Sequence, residues 1–270
     1  MVQTNETERE NAAAQLLTSA RTEMSRILDL GENAPQDVSE AHHIADRHAA
    51  LLGHSTAGWK VGCTSSFAMQ LLNSPGPFTG RVFEGSVAES GAVGFHDLVA
   101  PAVECEFAFF LAEDLPARRE QYSIADVRAA TTSVAPAIEL VDSRFESMPD
   151  VGYLSLIADS GVNAGAVIGT PIPVADLPDL ADVAVRCEID GEEVGHGTGS
   201  DILGDPWYAL EWLANHLAAR GLGLRSGQFV LSGTCTGLAP VNIGSTARGD
   251  YGDFGEVSFT RHTTNRPPVD

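Results

Sequence analysis

Along the first fifty residues, apolar positions recur at the three- and four-residue spacing of helices. Leu16, Leu17, Ala20, Met24, Ile27 and Leu28 predict a helix over 12–30. Ala41, Ile44, Ala45, His48, Leu51 and Leu52 predict a second over 39–52, with Gly53 suited to its C-cap. His42, His43 and His48 lie on this helix without the i, i+4 spacing of a metal pair. They read as a solvated or half-buried helix face.

The period then shortens. GWKVGC (58–63) reads as a strand, and SSFAMQLL (65–72) as a short helix opened by serine. Beyond residue 78, short strands and glycine turns dominate: VECEFAFFL (103–111), AIELVD (137–142), VAVRCEID (183–190), GQFVLSG (227–233) and GEVSFTR (255–261). Asp190-Gly191 predicts a tight hairpin. One helix interrupts this region, with Asp205 as N-cap, Pro206 in its first turn, an apolar face of Trp207, Leu210, Leu213 and Leu217, and Gly221 at its end. The expected class is α+β: a helical part over 1–75, a β-rich domain over 76–262 and a tail over 263–270.

Composition narrows the partners. A net charge of −21 argues against nucleic acid and anionic membrane surfaces. No stretch approaches the roughly 20 apolar residues of a membrane helix. The acidic, polar N-terminus does not resemble a secretory signal. Cys63, Cys105, Cys187 and Cys235 form no CxxC pair and read as small buried hydrophobes, with the loop-like Cys235 the alternative nucleophile. Free thiols point to the cytoplasm. Of 16 basic residues, 15 are arginine, and Lys60 is the only lysine. A chain that uses arginine elsewhere and keeps one compact ammonium makes Lys60 a candidate site residue.

The candidate chemistry lies in two strands. Alternation in VECEFAFFL sends Glu104 and Glu106 to one side and Val103, Cys105, Phe107 and Phe109 to the other. Two such carboxylates, with Cα atoms roughly 7 Å apart, repel each other unless a cation intervenes. Taken alone, this pair fits a strand with one wet face equally well. Glu139 repeats the anomaly within the apolar run APAIELVD and tilts the reading toward a hard divalent ion with oxygen ligands.

The segments GWKVGCTS (58–65), PAVECEFAFFLAEDL (101–115), APAIELVDSRF (135–145), LIADSGVNAGAVIG (156–169), HGTGSDILGDPWYALEWLANHL (196–217) and GQFVLSGTCTGLAPV (227–241) occur in this order. Together they resemble the 2-keto-4-pentenoate hydratase / 4-oxalocrotonate decarboxylase family of the fumarylacetoacetate hydrolase superfamily. The resemblance implies a mixed β-roll or barrel domain, a Mg²⁺ or Mn²⁺ site on Glu104, Glu106 and Glu139, an active-site lysine at Lys60 and a homo-oligomer. It places a small-polar segment at Asp159, Ser160 and Asn163 and a serine-glycine turn at Ser232 and Gly233. The chain departs from the family at Phe78, where an acidic residue is common, and in Asp159-Ser160-Gly161-Val162-Asn163, where the family reads roughly Asp-Asn-Ala-Ser-Ser.

The expected substrate is a small 2-keto or 2-hydroxy-dienoic acid, and the expected reaction is addition of water. Lys60, Asp159, Ser160 and Ser232 are the catalytic candidates, with Lys60 pairing with the substrate or shuttling a proton. Phe78, Arg81, Asn163 and Gly233 are the substrate-binding candidates. His196, in GHGTG, reads as a turn residue with a lesser prospect of proton transfer. Arg81 and Arg144 are the cations that a second substrate carboxylate could use, with Arg144 expected to be paired to Asp142. A decarboxylase, a C–C hydrolase and a non-catalytic binding protein are the alternatives.

Overall fold

The computed structural model describes residues 2–94 and 98–262, so the expected tail at 263–270 lies outside the described residues. Helices α1 (Val2–Thr22) and α2 (Val38–Leu52) come first, then β1 (Thr56–Gly62), α3 (Ser66–Leu71) and β2 (Phe78–Phe83). Short strands β3 (Val87–Glu89) and β4 (Ala92–Gly94) precede β5 (Ala102–Leu111), α4 (Ile124–Ala130) and β6 (Thr131–Val141). After α5 (Gly152–Ala158) come β7 (Asn163–Ile168), β8 (Ile172–Pro173) and the hairpin β9 (Ala184–Ile189) to β10 (Glu192–Thr198). Helix α6 (Pro206–Ala219) leads to β11 (Phe229–Leu231), β12 (Ala239–Pro240), β13 (Thr246–Asp250) and β14 (Glu256–Arg261).

The strands form two mixed sheets. The larger runs β2-β1-β11-β5-β6-β7-β3, with β12 beside β5 and β8 beside β6; the smaller runs β10-β9-β13-β14-β4. The helical N-terminal part is as expected, but the larger sheet does not close into a barrel among the described residues. Beside its end strand β2 sits the turn at 160–162, where Ser160 O lies so close to Gly80 that a Cβ there would stand 1.8 Å from it. Strand β1 pairs with both β2 and β11, so the expected boundary at 75/76 cuts through one sheet.

Alternation explains the core. One face of β5 carries Cys105, Phe107 and Phe109 into a large apolar cluster with Trp207, Leu210 and Leu213 of α6 and Val257 and Phe259 of β14. A second cluster joins Leu17 of α1, Ile44 of α2 and Leu156 and Ile157 of α5. The other face of the large sheet carries a third cluster in which Ala108, Ala137 and Ala166 pack with Val82, Phe229 and Leu231.

The chain corrects the expected first helix. It ends at Thr22, and Met24 takes φ 52°. Ile27 then donates its N–H to Arg144 O (2.8 Å) and accepts from Glu146 N (3.0 Å). A bridge to the 145 region thus replaces helical bonds, and Leu28 is left exposed. The second helix ends where expected and starts one residue earlier, at Val38, with Asp37 accepting from Glu40 N and Gly53 at φ 69°. Its histidines are drier than expected: His42 and His48 are buried.

Candidate metal centre

Antiparallel pairing of β5 and β6 sets Glu104 opposite Glu139 and Glu106 opposite Ala137. Residues directly opposite share a face, so the three carboxylates leave the sheet on the same side. Each offers an oxygen, and these oxygens all lie within 4.8 Å of one another. Glu106 and Glu139 are 0% exposed, and Glu104 is half-buried. Lys60, 2% exposed, reaches the same face from β1, its Nζ 3.4 Å from Glu139 Oε2.

The electrostatics follow from crowding like charges out of water. Burial first, and then the Glu139 charge, raise the Glu104 carboxyl to about 7. Burial, Glu139 and Glu104 push Glu106 well above the usual carboxylate range. For Lys60, burial opposes the charge most strongly, but the attraction of Glu139, Glu104 and Glu106 outweighs it and raises its pKa. In the metal-free site these carboxylates favour the ammonium form of Lys60.

Of the buried carboxylate oxygens, Glu106 Oε1 has no hydrogen-bond partner, and Glu139 Oε2 has only the 3.4 Å ion pair with Lys60. Buried acceptors without donors are costly. A divalent ion bound by oxygen satisfies both and neutralises the crowding, and three carboxylates leave positions for water and a chelating ligand. The residues present fit such an ion.

The surrounding residues mostly orient the glutamates. Asn163 Nδ2 donates to Glu139 Oε1 (2.8 Å), and the Gly233 N–H donates to Glu106 Oε2 (2.8 Å). Both were expected to bind substrate, but these donors are spent on the carboxylates. Ser232 Oγ accepts from Phe107 N (3.0 Å) and donates to Gly233 O (3.1 Å), so its hydroxyl fixes the turn and is not free as a catalytic group. Asp159 is buried and accepts from Arg144 N (2.8 Å); burial raises its carboxyl to about 6 against the opposing pull of Arg144. Ser160 has φ 53° and a buried hydroxyl without a partner. Neither Asp159 nor Ser160 lines the cavity described below.

A cavity of 470 Å³ ends on Lys60 and Glu104. Phe78 lines it, its ring centroid 5.6 Å from Lys60 Nζ. His196 lies at its exposed rim within β10, with Nδ1 2.8 Å from Glu193 Oε1; it is a strand residue, not a turn residue. Cys235 also borders the cavity, but burial pushes its thiol well up, against activation as a nucleophile.

Arg81 is absent from this site. The β1–β2 register pairs Lys60 with Gly80 and Trp59 with Arg81, so Arg81 shares the Trp59 face, on the far side of the sheet from Lys60. There its guanidinium stacks 4.7 Å over Trp59 and pairs with Asp46 at 2.7 Å. Arg144 is paired with Asp142 at 3.1 Å and buried, as expected.

Three contributors were missed from sequence. A Cβ on Gly62 would lie 2.9 Å from Lys60 Nζ, and one on Gly80 would strike the Ser160 carbonyl. The alternation Gly58-x-Lys60-x-Gly62 was the available signal of a strand face cleared around one cation. Tyr251 stands behind the glutamates, its hydroxyl 2.7 Å from Glu106 O and 2.8 Å from Ala137 O. It comes from the turn between β13 and β14 of the other sheet, and no sequence spacing announced it.

With this geometry in hand, comparison with known proteins decides the lineage. Residues 83–263 match the model of the fumarylacetoacetate (FAA) hydrolase C-terminal family. The chain belongs to the fumarylacetoacetate hydrolase family. Within it, the chain is 34% identical to a 2-hydroxyhexa-2,4-dienoate hydratase of Comamonas testosteroni, over 84% of this chain and 86% of that one. It is 32% identical to a 2-keto-4-pentenoate hydratase of Burkholderia vietnamiensis, over 77% and 79%. Among solved structures, the 4-oxalocrotonate decarboxylase of Pseudomonas putida G7 with magnesium and adipate superposes with a TM-score of 0.86. That match has 26% identity and covers 94% of this chain and 98% of that one. The same decarboxylase is also known with calcium and acetate.

Proposed function

We propose that this chain is a metal-dependent hydratase that adds water to a small 2-hydroxy-2,4-dienoate, with Mg²⁺ or Mn²⁺ as the ion. The observation that carries this reading is the convergence of Glu104, Glu106 and Glu139 with the Lys60 ammonium at the end of one largely apolar cavity. Glu104, Glu106 and Glu139 would hold the divalent ion, which would supply Lewis acidity for negative charge developing on a 2-oxo or 2-hydroxy acid.

The protein's own groups do the rest. Asn163 and Gly233 N–H fix the directions of two glutamates, so the site is organised before substrate arrives. Lys60, beside Glu139 at the end of the cavity, is placed to donate an N–H to the substrate oxygens. Phe78 and the apolar wall exclude bulk water from the diene. In the balanced reaction, the 2-hydroxyl loses a proton and C5 gains one, giving the 2-oxo-3-ene. Water then adds its hydroxyl at C4 and its proton at C3. The similarity to hydratases over most of the chain supports this outcome.

Decarboxylation is the second reading, supported by the superposition on a decarboxylase. It requires a second substrate carboxylate, and Arg81, the cation that could most readily have met it, faces away. The test is to supply Mg²⁺-loaded protein with 2-hydroxypenta-2,4-dienoate and with 4-oxalocrotonate. Loss of dienol absorbance with formation of 4-hydroxy-2-oxopentanoate is expected. Rapid CO₂ release without hydration of the monocarboxylate would replace the hydratase with the decarboxylase.

A further inference from the structure

The end of the cavity away from the glutamates has its own chemistry. Its wall is made by Phe67, Leu71 and Leu72 around α3, by Met148 and Leu156, and by Leu238 after β11. Three of these are large apolar side chains left in water: Phe67 is 73% exposed, Leu71 57% and Leu238 46%. They border the same cavity that ends on Lys60. Among the described residues no arginine lines it, and Lys60, its one ammonium, is already paired with Glu139. Of its other titratable groups, Glu104 belongs to the carboxylate cluster and burial keeps the Cys63 and Cys235 thiols neutral, which leaves Asp201 and His196, the latter held by Glu193.

From this wall we infer that the site selects 2-oxo and 2-hydroxy-dienoic acids with an uncharged, apolar tail and rejects those with a distal carboxylate; Phe67, Leu71 and Leu238 are the specificity-determining residues. The inference rests on the reading of the three glutamates as a 2-oxo-acid site. Its physical basis is independent of the reaction catalysed. A distal carboxylate would surrender water to an apolar wall that holds no arginine or lysine among the described residues and has Asp201 nearby, whereas an alkyl tail gains by covering side chains that are otherwise wet.

The test uses two unreactive ligands of equal chain length, 2-oxohexanoate and 2-oxoadipate, which differ only in a terminal methyl against a terminal carboxylate. Each is titrated calorimetrically into Mg²⁺-loaded protein. The expectation is that 2-oxohexanoate binds at least about tenfold more tightly, and that Leu71→Arg narrows or reverses the preference by about tenfold while Mg²⁺ affinity stays the same. Leu71 is exposed, so the substitution leaves the fold intact. Equal or tighter binding of 2-oxoadipate by the unaltered protein would overturn the inference, as would a Leu71→Arg variant with unchanged preference. Binding of neither ligand by protein that holds Mg²⁺ would overturn the 2-oxo-acid reading, and the inference with it. Selective binding of 2-oxohexanoate without hydration of any dienoate would leave the inference standing and remove only the hydratase.

Discussion

Lys60 Nζ lies 3.4 Å from Glu139 Oε2, and both side chains are almost wholly out of water. The pair joins β1 to β6 across the interior face of the large sheet and ties the only lysine of the chain to the carboxylate cluster. In the metal-free protein the glutamates favour the charged form of Lys60, and its Nζ stands as a donor at the end of the cavity. Lys60→Met is expected to lower kcat/KM by about a hundredfold or more. Lys60→Arg should also be impaired, since a planar guanidinium does not fit where a compact ammonium sits. Steady-state kinetics on the Mg²⁺-loaded variants decide it, and a near-normal Lys60→Met enzyme would reject the assignment.

Metal removal should abolish turnover, and Mg²⁺ or Mn²⁺ should restore it. Glu106→Gln keeps the volume of the side chain but loses a charge, so Mg²⁺ affinity should fall with little change in fold, as read by calorimetry and circular dichroism. Protons compete for the same site. Glu104 is raised to about 7 in the metal-free protein, so below that pH the ion must displace a proton, and Mg²⁺ affinity should rise as pH rises through about 7. Unaltered Mg²⁺ binding by Glu106→Gln would show that the ion is held elsewhere.

Gly80 is where the sheet admits the 160–162 turn. An added methyl would sit 1.8 Å from Ser160 O and 2.4 Å from its carbonyl carbon, both backbone atoms that cannot swing aside. Gly80→Ala is therefore expected to destabilise the protein by about 2 kcal/mol or more. Urea denaturation measures this; a variant as stable as the parent would mean that the turn moves freely.

Arg81 offers the reverse test. It lies on the Trp59 face and is held by Asp46. Arg81→Gln should leave kcat/KM for a monocarboxylate within about threefold of the parent, a surface-like effect. A loss comparable to that of Lys60→Met would place Arg81 in the catalytic path after all.

Buried histidines set the acid limit of stability. Burial, then Arg21 and Arg144, hold His48 at about 3; burial, then Arg220 and His216, hold His42 at about 3. Both lie below the unfolded value of 6.5, so the unfolded chain takes up protons first. The stabilisation is complete above pH 6.5 and is lost progressively toward pH 3. For one such histidine, the loss between pH 7 and pH 5 is about 2 kcal/mol. His48→Gln should remove that share of the pH dependence. Comparing urea midpoints of parent and variant at the two pH values isolates it, because the carboxylates contribute equally to both. An identical fall in parent and variant would mean that His48 is already charged in the fold.

Much of the site was legible because strand alternation is local. Glu104 and Glu106 had to share a face opposite Cys105 and Phe107, and Glu139 had to oppose Ile138 and Leu140, whatever the rest of the fold. The singular Lys60 was visible by count. The caps at Ser65, Asp205 and Gly53, and the Asp190-Gly191 turn, were likewise settled by residues within a few positions of one another.

Register and long-range contact were not local, and there the sequence by itself stopped. Arg81 and Lys60 lie on opposite faces because β1 pairs with β2 as Lys60 with Gly80; a shift of one residue would have brought Arg81 onto the site. Gly233 turned out to brace Glu106, and Asn163 to brace Glu139, because hydrogen bonds over 127 and 24 positions depend on which strands become neighbours. The helix expected to run to residue 30 stopped at Thr22 because a bridge near Phe145 claimed Ile27. The sequence alone determined which side chains must leave a strand or helix together. Only the tertiary structure decided which of those faces meet, since pairing between distant segments is set by the packing of the whole sheet and not by the order of residues along either strand.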